Sequence, residues 1–177
     1  MMSKRKLLWL YHRWLKHRLG YCGEDVFFHG WIRITNPGNV FIGNNVCIGD
    51  NAFIDSLGEV YIGDNVRIGA NFRCIAHNHN IEGDLLPYDE KLLFKDIFIE
   101  DNVFIGRDVL VLNGSMLLEG CVIGAGCIIS GIIKPLNVVV SAPIRVIRRR
   151  DEVSYNVLVS GEQFIKPGTG FVKMRED

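Results

Sequence analysis

The sequence predicts an all-β protein, a parallel β-helix of hexapeptide repeats that covers most of residues 40–133. Apolar, mostly branched residues recur at every sixth position, and a glycine or a small acidic residue follows most of them. Pairs of asparagine and aspartate then mark the turns. The apolar positions are Ile42, Ile48, Ile54, Ile62, Ile68, Cys74, Ile99, Ile105, Val111, Leu117, Ile123 and Ile129.

The six-residue period indicates a short strand followed by a corner, with three such units in one turn of a solenoid. Each apolar side chain points inward and stacks on its counterpart one turn away, so stability comes from neighbouring turns. Gly, Asn and Asp tolerate the left-handed backbone that a tight corner needs. A sandwich of short strands would instead repeat its turn residues roughly every 8 to 12 positions. We expect small residues to fill the remaining interior: Val46, Ala52, Ser115 and Cys121.

Composition favours a single reduced, cytoplasmic domain. The chain has 177 residues and a formal net charge of +0, so no global field attracts nucleic acid or an anionic membrane. No apolar run approaches the roughly 20 residues of a spanning helix, and the run after the basic start is too short for a secretory signal. The five cysteines are odd in number and form no CxxC, which predicts neither a disulfide framework nor a zinc site.

Residues 4–19 predict a basic amphipathic helix before the solenoid. Lysine and arginine alternate with apolar residues near helical spacing, and Gly20 is a plausible stop. The helix would either lie on a membrane surface or cap the open first turn, and the cap is favoured. The predicted domains are an N-terminal helix or cap over 1–20, the β-helix over 21–150 and a C-terminal tail over 151–177. The tail has weak strand character around Phe164–Ile165 and Phe171–Val172.

The insertion at residues 76–95 interrupts the repeat and contains His77 and His79, two of the five histidines. Structureless insertions of this length in compact domains are usually functional, although a tolerated surface loop is the alternative. A histidine that titrates near neutrality can take a proton from a hydroxyl and return it to a leaving group. A Cys74–His77 nucleophile is also conceivable, but the ladder position of Cys74 predicts a buried, unreactive thiol.

The exit from the solenoid is rich in arginine. The dipeptides Lys134-Pro135 and Ala142-Pro143 interrupt the strand pattern. Arginines follow at positions 145 and 148–150. Arginine suits bidentate phosphate recognition, although a solvated charged face is commoner. Acyl transfer from a thioester requires a base, hydrogen-bond donors for the oxyanion and a groove for the acyl carrier. The chain has no visible P-loop, GxGxxG or Ser-His-Asp arrangement.

Three stretches resemble the hexapeptide-repeat acyltransferases. DNVFIG at 101–106, VIGAG at 122–126 and APIRVIR at 142–148 are similar to the DNVWIG, VIGAGS and NPAKVIR of that family. The likeness is closest to sugar O-acetyltransferases, including galactoside, maltose, xenobiotic and polysaccharide-modifying enzymes. It implies a left-handed β-helix, although the usual crossover rule favours a right-handed one. It also implies a homotrimer with active sites between subunits, acetyl-CoA as acyl donor and no metal.

The resemblance also implies site residues. Asn78–Gly83 matches the Asn-His-x-x-Asp-Gly frame of xenobiotic relatives, which makes His79 the general base and His77 the reserve. Asp55, beside a two-residue slip in the repeat, is the candidate for acceptor binding. The positions implied to contact coenzyme A are Phe104, Gly106, Arg107, Gly124, Ala125, Ser130, Arg145 and Arg148. The chain departs from the family at Gly131, where lysine is common, at Ser141, where glycine is usual, and at Arg107, where a small residue is frequent.

The sequence therefore predicts an acetyl-CoA-dependent O-acetyltransferase acting on a sugar, in surface polysaccharide or lipopolysaccharide biosynthesis. An N-acetyltransferase acting on an amino sugar would use nearly the same residues and stays open. A γ-type carbonic anhydrase shares the fold but needs three zinc-binding histidines, of which His77 and His79 supply two. A non-catalytic scaffold is the remaining alternative. The predicted partners are an acyl donor, a sugar acceptor and two further copies of the chain, with peripheral membrane contact possible through the N-terminal helix.

Overall fold

The chain winds into a three-sided solenoid of parallel strands, preceded by one helix and followed by another. A computed structural model describes residues 3–81, 86–88, 90–140, 145–149 and 151–162. Helix α1 (Lys4–Lys16) precedes the first turn. The first three turns consist of β1 (Tyr21–Cys22), β2 (Phe27–Phe28) and β3 (Arg33–Ile34); β4 (Val40–Ile42), β5 (Cys47–Ile48) and β6 (Phe53–Asp55); and β7 (Val60–Ile62), β8 (Arg67–Ile68) and β9 (Arg73–Ile75).

A hairpin separates these turns from the later ones. It consists of β10 (His77–His79) and β11 (Leu92–Phe94). The later turns consist of β12 (Ile97–Ile99), β13 (Phe104–Ile105) and β14 (Leu110–Leu112); β15 (Met116–Leu117), β16 (Val122–Ile123) and β17 (Ile128–Ile129); and β18 (Ile132–Ile133) with β19 (Asn137–Val140). Strand β20 (Arg145–Arg149) and helix α2 (Glu152–Ser160) complete the described residues.

Each complete turn contributes one strand to each of three sheets. Sheet 1 has the order β1-β4-β7-β12-β15-β18, sheet 2 has β2-β5-β8-β13-β16-β19-β20, and sheet 3 has β3-β6-β9-β14-β17. All neighbours within these sheets are parallel except β19 and β20, which are antiparallel. The arrangement fits the left-handed parallel β-helix that the resemblance implies, so the predicted fold class is confirmed.

The predicted apolar ladder forms the core. Ile54 pairs with Cys74, and Cys74 pairs with Val111 across the insertion, so the inward positions stay in register. All three side chains are fully buried. The small residues predicted to fill the interior are also buried: Val46, Ala52, Ser115 and Cys121.

The corners contain left-handed residues, as predicted. Asn45, Asn65 and Asn102 have φ angles of 54°, 59° and 60°, and they lie at one corner of successive turns. The side-chain amide of Asn45 donates to Asn65 Oδ1 at 2.8 Å, and that of Asn65 donates to Asn102 Oδ1 at 3.1 Å. Each asparagine thus adopts the left-handed backbone conformation, and its side chain hydrogen-bonds to an asparagine of an adjacent turn. These bonds link the turns along one edge of the solenoid.

Helix α1 caps the first turn. Leu15 is buried, and the Tyr11 hydroxyl donates to the carbonyl of Ile32. His12 Nε2 lies 2.7 Å from the carbonyl oxygen of Gly30, and burial lowers the pKa of this histidine. The neutral ring can therefore donate to that carbonyl at neutral pH. The structure confirms the predicted helix and shows its capping contacts. Within the described residues, no helix is long and apolar enough to span a bilayer.

Helix α2 was not predicted. The Asp151 side chain accepts from the Ser154 backbone N–H at 2.8 Å, which caps the helix N-terminus. Tyr155 is buried, and its hydroxyl donates to Glu119 Oε1 at 3.0 Å. Tertiary contact therefore supports a helix in a segment whose several valines have low helix propensity. The weak strand character predicted around Phe164 and Phe171 lies outside the described residues.

Candidate active site

The solenoid has two edges that matter for the predicted site. The loop edge runs where sheet 3 passes to sheet 1, after β3, β6, β9, β14 and β17, and the insertion leaves from it. The glycine edge runs where sheet 2 passes to sheet 3, and is defined by Gly49, Gly69, Gly106 and Gly124. Sheet 3 lies between the two edges. They are therefore separated by about six residues of extended chain, or about 20 Å.

The insertion begins as an ordered hairpin, although its sequence predicts a loop. His77 pairs with Phe94 and His79 pairs with Leu92 across the antiparallel strands β10 and β11. Residues two apart in a strand project from the same face. The two histidine side chains therefore share one face of the hairpin at the loop edge.

Asp55 lies beside His77. Its Oδ2 is 3.8 Å from His77 Nδ1, and its Oδ1 accepts a hydrogen bond from Thr35 Oγ1 at 2.9 Å. His77 Nδ1 is buried and has no hydrogen-bond partner among the described residues. A small rotation of the ring would convert this contact into a hydrogen bond with the carboxylate. The structure therefore brings the predicted acceptor residue and the reserve histidine together.

His79 is exposed and has a different environment. Its ring stacks on Tyr88, with 3.9 Å between ring centroids and 19° between planes. Its backbone N–H is held by the side chain of Asn78 at 2.9 Å. Within the described part of the insertion the ring nitrogens make no hydrogen bond.

Cys74 is not a candidate nucleophile. Its side chain is fully buried, and burial, with a smaller contribution from Asp55, raises the pKa of the thiol. Since the thiolate is the reactive form, a raised pKa disfavours this sulfur as a nucleophile. The prediction that Cys74 is buried is confirmed.

The residues implied to contact coenzyme A lie in four places. Phe104 is exposed on the outer face of sheet 2, and Ser130 is exposed at the loop edge after β17. Arg145 and Arg148 lie in β20, beside β19, and their side chains are outside the description. The remaining four form a column at the glycine edge: Gly106, Arg107, Gly124 and Ala125.

Packing alone accounts for two of these glycines. A Cβ atom on Gly106 would lie 2.6 Å from the Ala125 backbone nitrogen, and one on Gly124 would lie 3.0 Å from the Val139 carbonyl oxygen. Neighbouring turns approach closely at this edge, so a side chain at Gly106 would clash with backbone and one at Gly124 would require its neighbours to shift. Packing therefore favours glycine at both positions whether or not a ligand contacts them.

Sequence reasoning missed Thr35 and Tyr88. Thr35 precedes Asp55 by 20 residues, which is the length of an early turn of the solenoid, so the repeat itself could have identified it. Tyr88 lies inside the insertion, where no repeat applies, and no sequence signal pairs it with His79. The structure thus groups Asp55, His77 and His79 at the loop edge and leaves the glycine-edge column across sheet 3.

The fourth and fifth turns match a known sequence family. Residues 96–131 match the family model described as bacterial transferase hexapeptide (six repeats). The matched residues run from just before β12 to just after β17, so they contain the later part of the core ladder and the glycine-edge column. No curated protein matches the chain significantly by sequence.

Solved structures share the fold. The chain is 27% identical to a galactoside acetyltransferase in complex with coenzyme A, with a TM-score of 0.76 over 86% of this chain and 76% of that one. It is 25% identical to a maltose O-acetyltransferase from Clostridium difficile 630, with a TM-score of 0.75 over 86% and 80% of the chains. An N-acyltransferase from Bacillus cereus shares the fold at 19% identity, with a TM-score of 0.63 over 86% and 95%. The predicted resemblance to hexapeptide-repeat acetyltransferases is confirmed.

Proposed function

We propose that the protein transfers an acetyl group from acetyl-CoA to a hydroxyl of a sugar. The observation that carries the proposal is the grouping of Asp55, His77 and His79 at the root of the insertion at residues 76–95. The two neighbours with identities of 25% and 27% are a maltose O-acetyltransferase and a galactoside acetyltransferase, the latter with coenzyme A bound. Their names favour a hydroxyl acceptor over an amine.

His79 is the general base of this proposal. It removes the proton from the acceptor hydroxyl as that oxygen attacks the thioester carbonyl, and a tetrahedral intermediate forms. The carbon–sulfur bond then breaks, and the same proton passes to the departing coenzyme A thiolate. Asp55, fixed by Thr35, accepts a hydrogen bond from a second acceptor hydroxyl and orients His77 beside it. An exposed ring such as that of His79 is open to the long pantetheine arm of coenzyme A.

The coenzyme would contact Phe104, Gly106, Arg107, Gly124, Ala125, Ser130, Arg145 and Arg148. The four of these residues that lie at the glycine edge are separated from His79 by the width of sheet 3, about 20 Å. A second copy of the chain that placed its glycine edge against this loop edge would bring both groups to one cleft. The proposed assembly is therefore a homotrimer, in which each cleft is shared by two subunits. Light scattering coupled to size exclusion should give three times the 20.0 kDa chain mass.

The decisive experiment supplies acetyl-CoA and a panel of hexoses and amino sugars, and measures release of free thiol. Release that depends on a sugar is the expected result, and absence of both release and coenzyme A binding by calorimetry would favour a scaffold. Hydroxylamine treatment of the product separates the alternatives, because it cleaves an ester and leaves the amide that an N-acetyltransferase would form. Stoichiometric zinc with hydration of carbon dioxide would favour the carbonic anhydrase reading.

The proposed setting is the cytoplasmic surface of a membrane, in surface polysaccharide synthesis. Helix α1 caps the solenoid with one face and leaves apolar side chains exposed on the other. Trp9 and Trp14 are 57% and 51% exposed, and Arg13 and Arg18 lie over their rings. The first turn of the helix contains no acidic residue, and Arg13 and Lys16 occupy its last turn. Tryptophan with flanking cations is typical of helices that lie in the interface of an anionic bilayer.

Replacing Trp9 and Trp14 together by alanine should abolish binding to vesicles that contain anionic phospholipid. The wild-type protein should sediment with such vesicles at low salt and be released at high salt, because the lysines and arginines contribute electrostatically. Val157→Ala with Leu158→Ala on helix α2 removes matched exposed apolar side chains and should leave sedimentation unchanged. Equal sedimentation of the tryptophan variant and wild type would contradict the proposed membrane contact.

A further inference from the structure

The outer face of sheet 3 has two arginines on either side of one aromatic ring. Arg33, Phe53 and Arg73 occupy the same register position in three successive strands, β3, β6 and β9. The guanidinium carbon of Arg33 is 5.0 Å from the centre of the Phe53 ring, and that of Arg73 is 5.8 Å from it. Two positive charges are therefore held close together by a single side chain between them.

Neither arginine is neutralised within the described part of the chain. Both are exposed, and no carboxylate of a described residue lies within ion-pair distance of either one. Their charges repel each other, so an anion bound between them gains from both. Trp31 and Asn51 line the same concave surface, and Tyr11 of helix α1 borders it. The concavity offers aromatic walls and two guanidinium groups, a combination that suits phosphate esters.

This cluster lies next to the proposed acceptor site. Asp55 follows Phe53 by two residues in β6, and Thr35 follows Arg33 by two residues at the end of β3. Residues two apart project from the same face and are separated by about 7 Å. A molecule whose hydroxyl meets Asp55 and the loop-edge histidines therefore extends toward Arg33 and Arg73 on its other side.

We propose that Arg33 and Arg73 bind the phosphate or diphosphate of a phosphate-linked sugar acceptor, with Phe53 positioning the two guanidinium groups. This proposal rests on the proposed function, because it assigns the class of acceptor for the same site. Each guanidinium presents a planar fork that matches two phosphate oxygens, so two arginines fit a diphosphate. The carboxylate of Asp55 repels the phosphate and attracts sugar hydroxyls, which sets the direction in which such an acceptor binds.

Binding of inorganic pyrophosphate tests the cluster without any acetyl transfer. Calorimetry is run with coenzyme A at saturation, on wild type, on Arg33→Gln with Arg73→Gln, and on Arg18→Gln. Arg18 is a matched control, because it is an exposed arginine over an aromatic ring, Trp14, outside the cluster. We expect the double variant to bind at least about tenfold more weakly and Arg18→Gln to bind like wild type.

Three results would overturn the proposal. These are absence of pyrophosphate binding to wild type, equal binding to the double variant, and displacement of coenzyme A by pyrophosphate through the two arginines. The last result would assign the cluster to the coenzyme. Circular dichroism on each variant verifies that it is folded, which is expected because both side chains are exposed.

Kinetics with matched acceptors distinguish the source of the phosphate. The sugar that supports thiol release is presented as a methyl glycoside, as a nucleoside diphosphate sugar and as a polyprenyl diphosphate sugar. Of the two phosphate-linked forms, the better wild-type substrate is taken as the physiological one. The double variant should raise its KM at least about tenfold and leave KM for the methyl glycoside and acetyl-CoA unchanged. A uniform change for all acceptors contradicts the subsite. If no acceptor supports thiol release, the proposed function fails, while pyrophosphate binding still decides the anion site.

Discussion

Replacing His79 by alanine is expected to lower kcat for sugar acetylation by about 10²- to 10⁴-fold, the usual contribution of a general base. The KM for acetyl-CoA should change little, because the ring contacts Tyr88 and the reacting groups and does not form the coenzyme groove. Thiol release at saturating acetyl-CoA measures this directly. Because His79 is exposed, its replacement should not disturb folding. Circular dichroism checks that the variant is folded.

The neighbouring residues supply the controls. Tyr88→Ala removes the stacking partner and leaves the base, so it should cost much less than His79→Ala. His77→Ala should raise KM for the sugar more than it lowers kcat, since His77 lies beside Asp55, the residue proposed to bind the acceptor. If His77→Ala abolishes turnover and His79→Ala leaves it intact, the base has been assigned to the wrong histidine. In that case Asp55→Asn, which keeps the shape of the side chain and removes its charge, should also lower kcat, as His77→Ala does.

Replacing Phe72 by alanine is expected to destabilise the fold by about 3–5 kcal/mol. Phe72 is fully buried and is among the largest side chains inside the solenoid. Strands of neighbouring turns are hydrogen-bonded on each of the three sides, so the prism cannot collapse around the missing ring and a cavity remains. Such a loss is comparable to the whole stability of many domains.

Chemical denaturation at one fixed protein concentration measures this effect, because association of subunits would also contribute to stability. Phe94→Ala is the matched control, since Phe94 is 63% exposed on the hairpin. Its expected cost is within about 1 kcal/mol. Equal midpoints for the two variants would mean that the interior at Phe72 repacks, contrary to the rigidity of the sheets.

The repeat could be predicted because every sixth residue lies in the same kind of environment, the buried interior of the solenoid. Ile42, Ile48 and Ile54 all point into the same narrow interior and are fully buried, so an apolar side chain is favoured at each of these positions. Asparagines at the corners gave a second independent signal, since a left-handed φ restricts residue type. Period and corner together determined the solenoid, while its hand came from the resemblance.

The candidate site was predictable only in part. His77 and His79 stand out because they are adjacent in an insertion, but the contact between His77 and Asp55 joins different turns of the solenoid. The arginines around Phe53 are each 20 residues from it, and no local motif relates them. Contacts of this kind follow from the length of each turn, which an insertion or a slip changes.

The asparagine stack at the corner spans the insertion without interruption. Asn45 and Asn65 are 20 residues apart and Asn65 and Asn102 are 37 apart, yet the side-chain hydrogen bonds are of the same kind. Strands β7 and β12 likewise pair as adjacent neighbours. The strand pairing of the solenoid therefore does not depend on which residues are inserted between Ile75 and Asp96. The segment can therefore change in length and sequence without loss of the strand pairing and side-chain hydrogen bonds that hold the solenoid together.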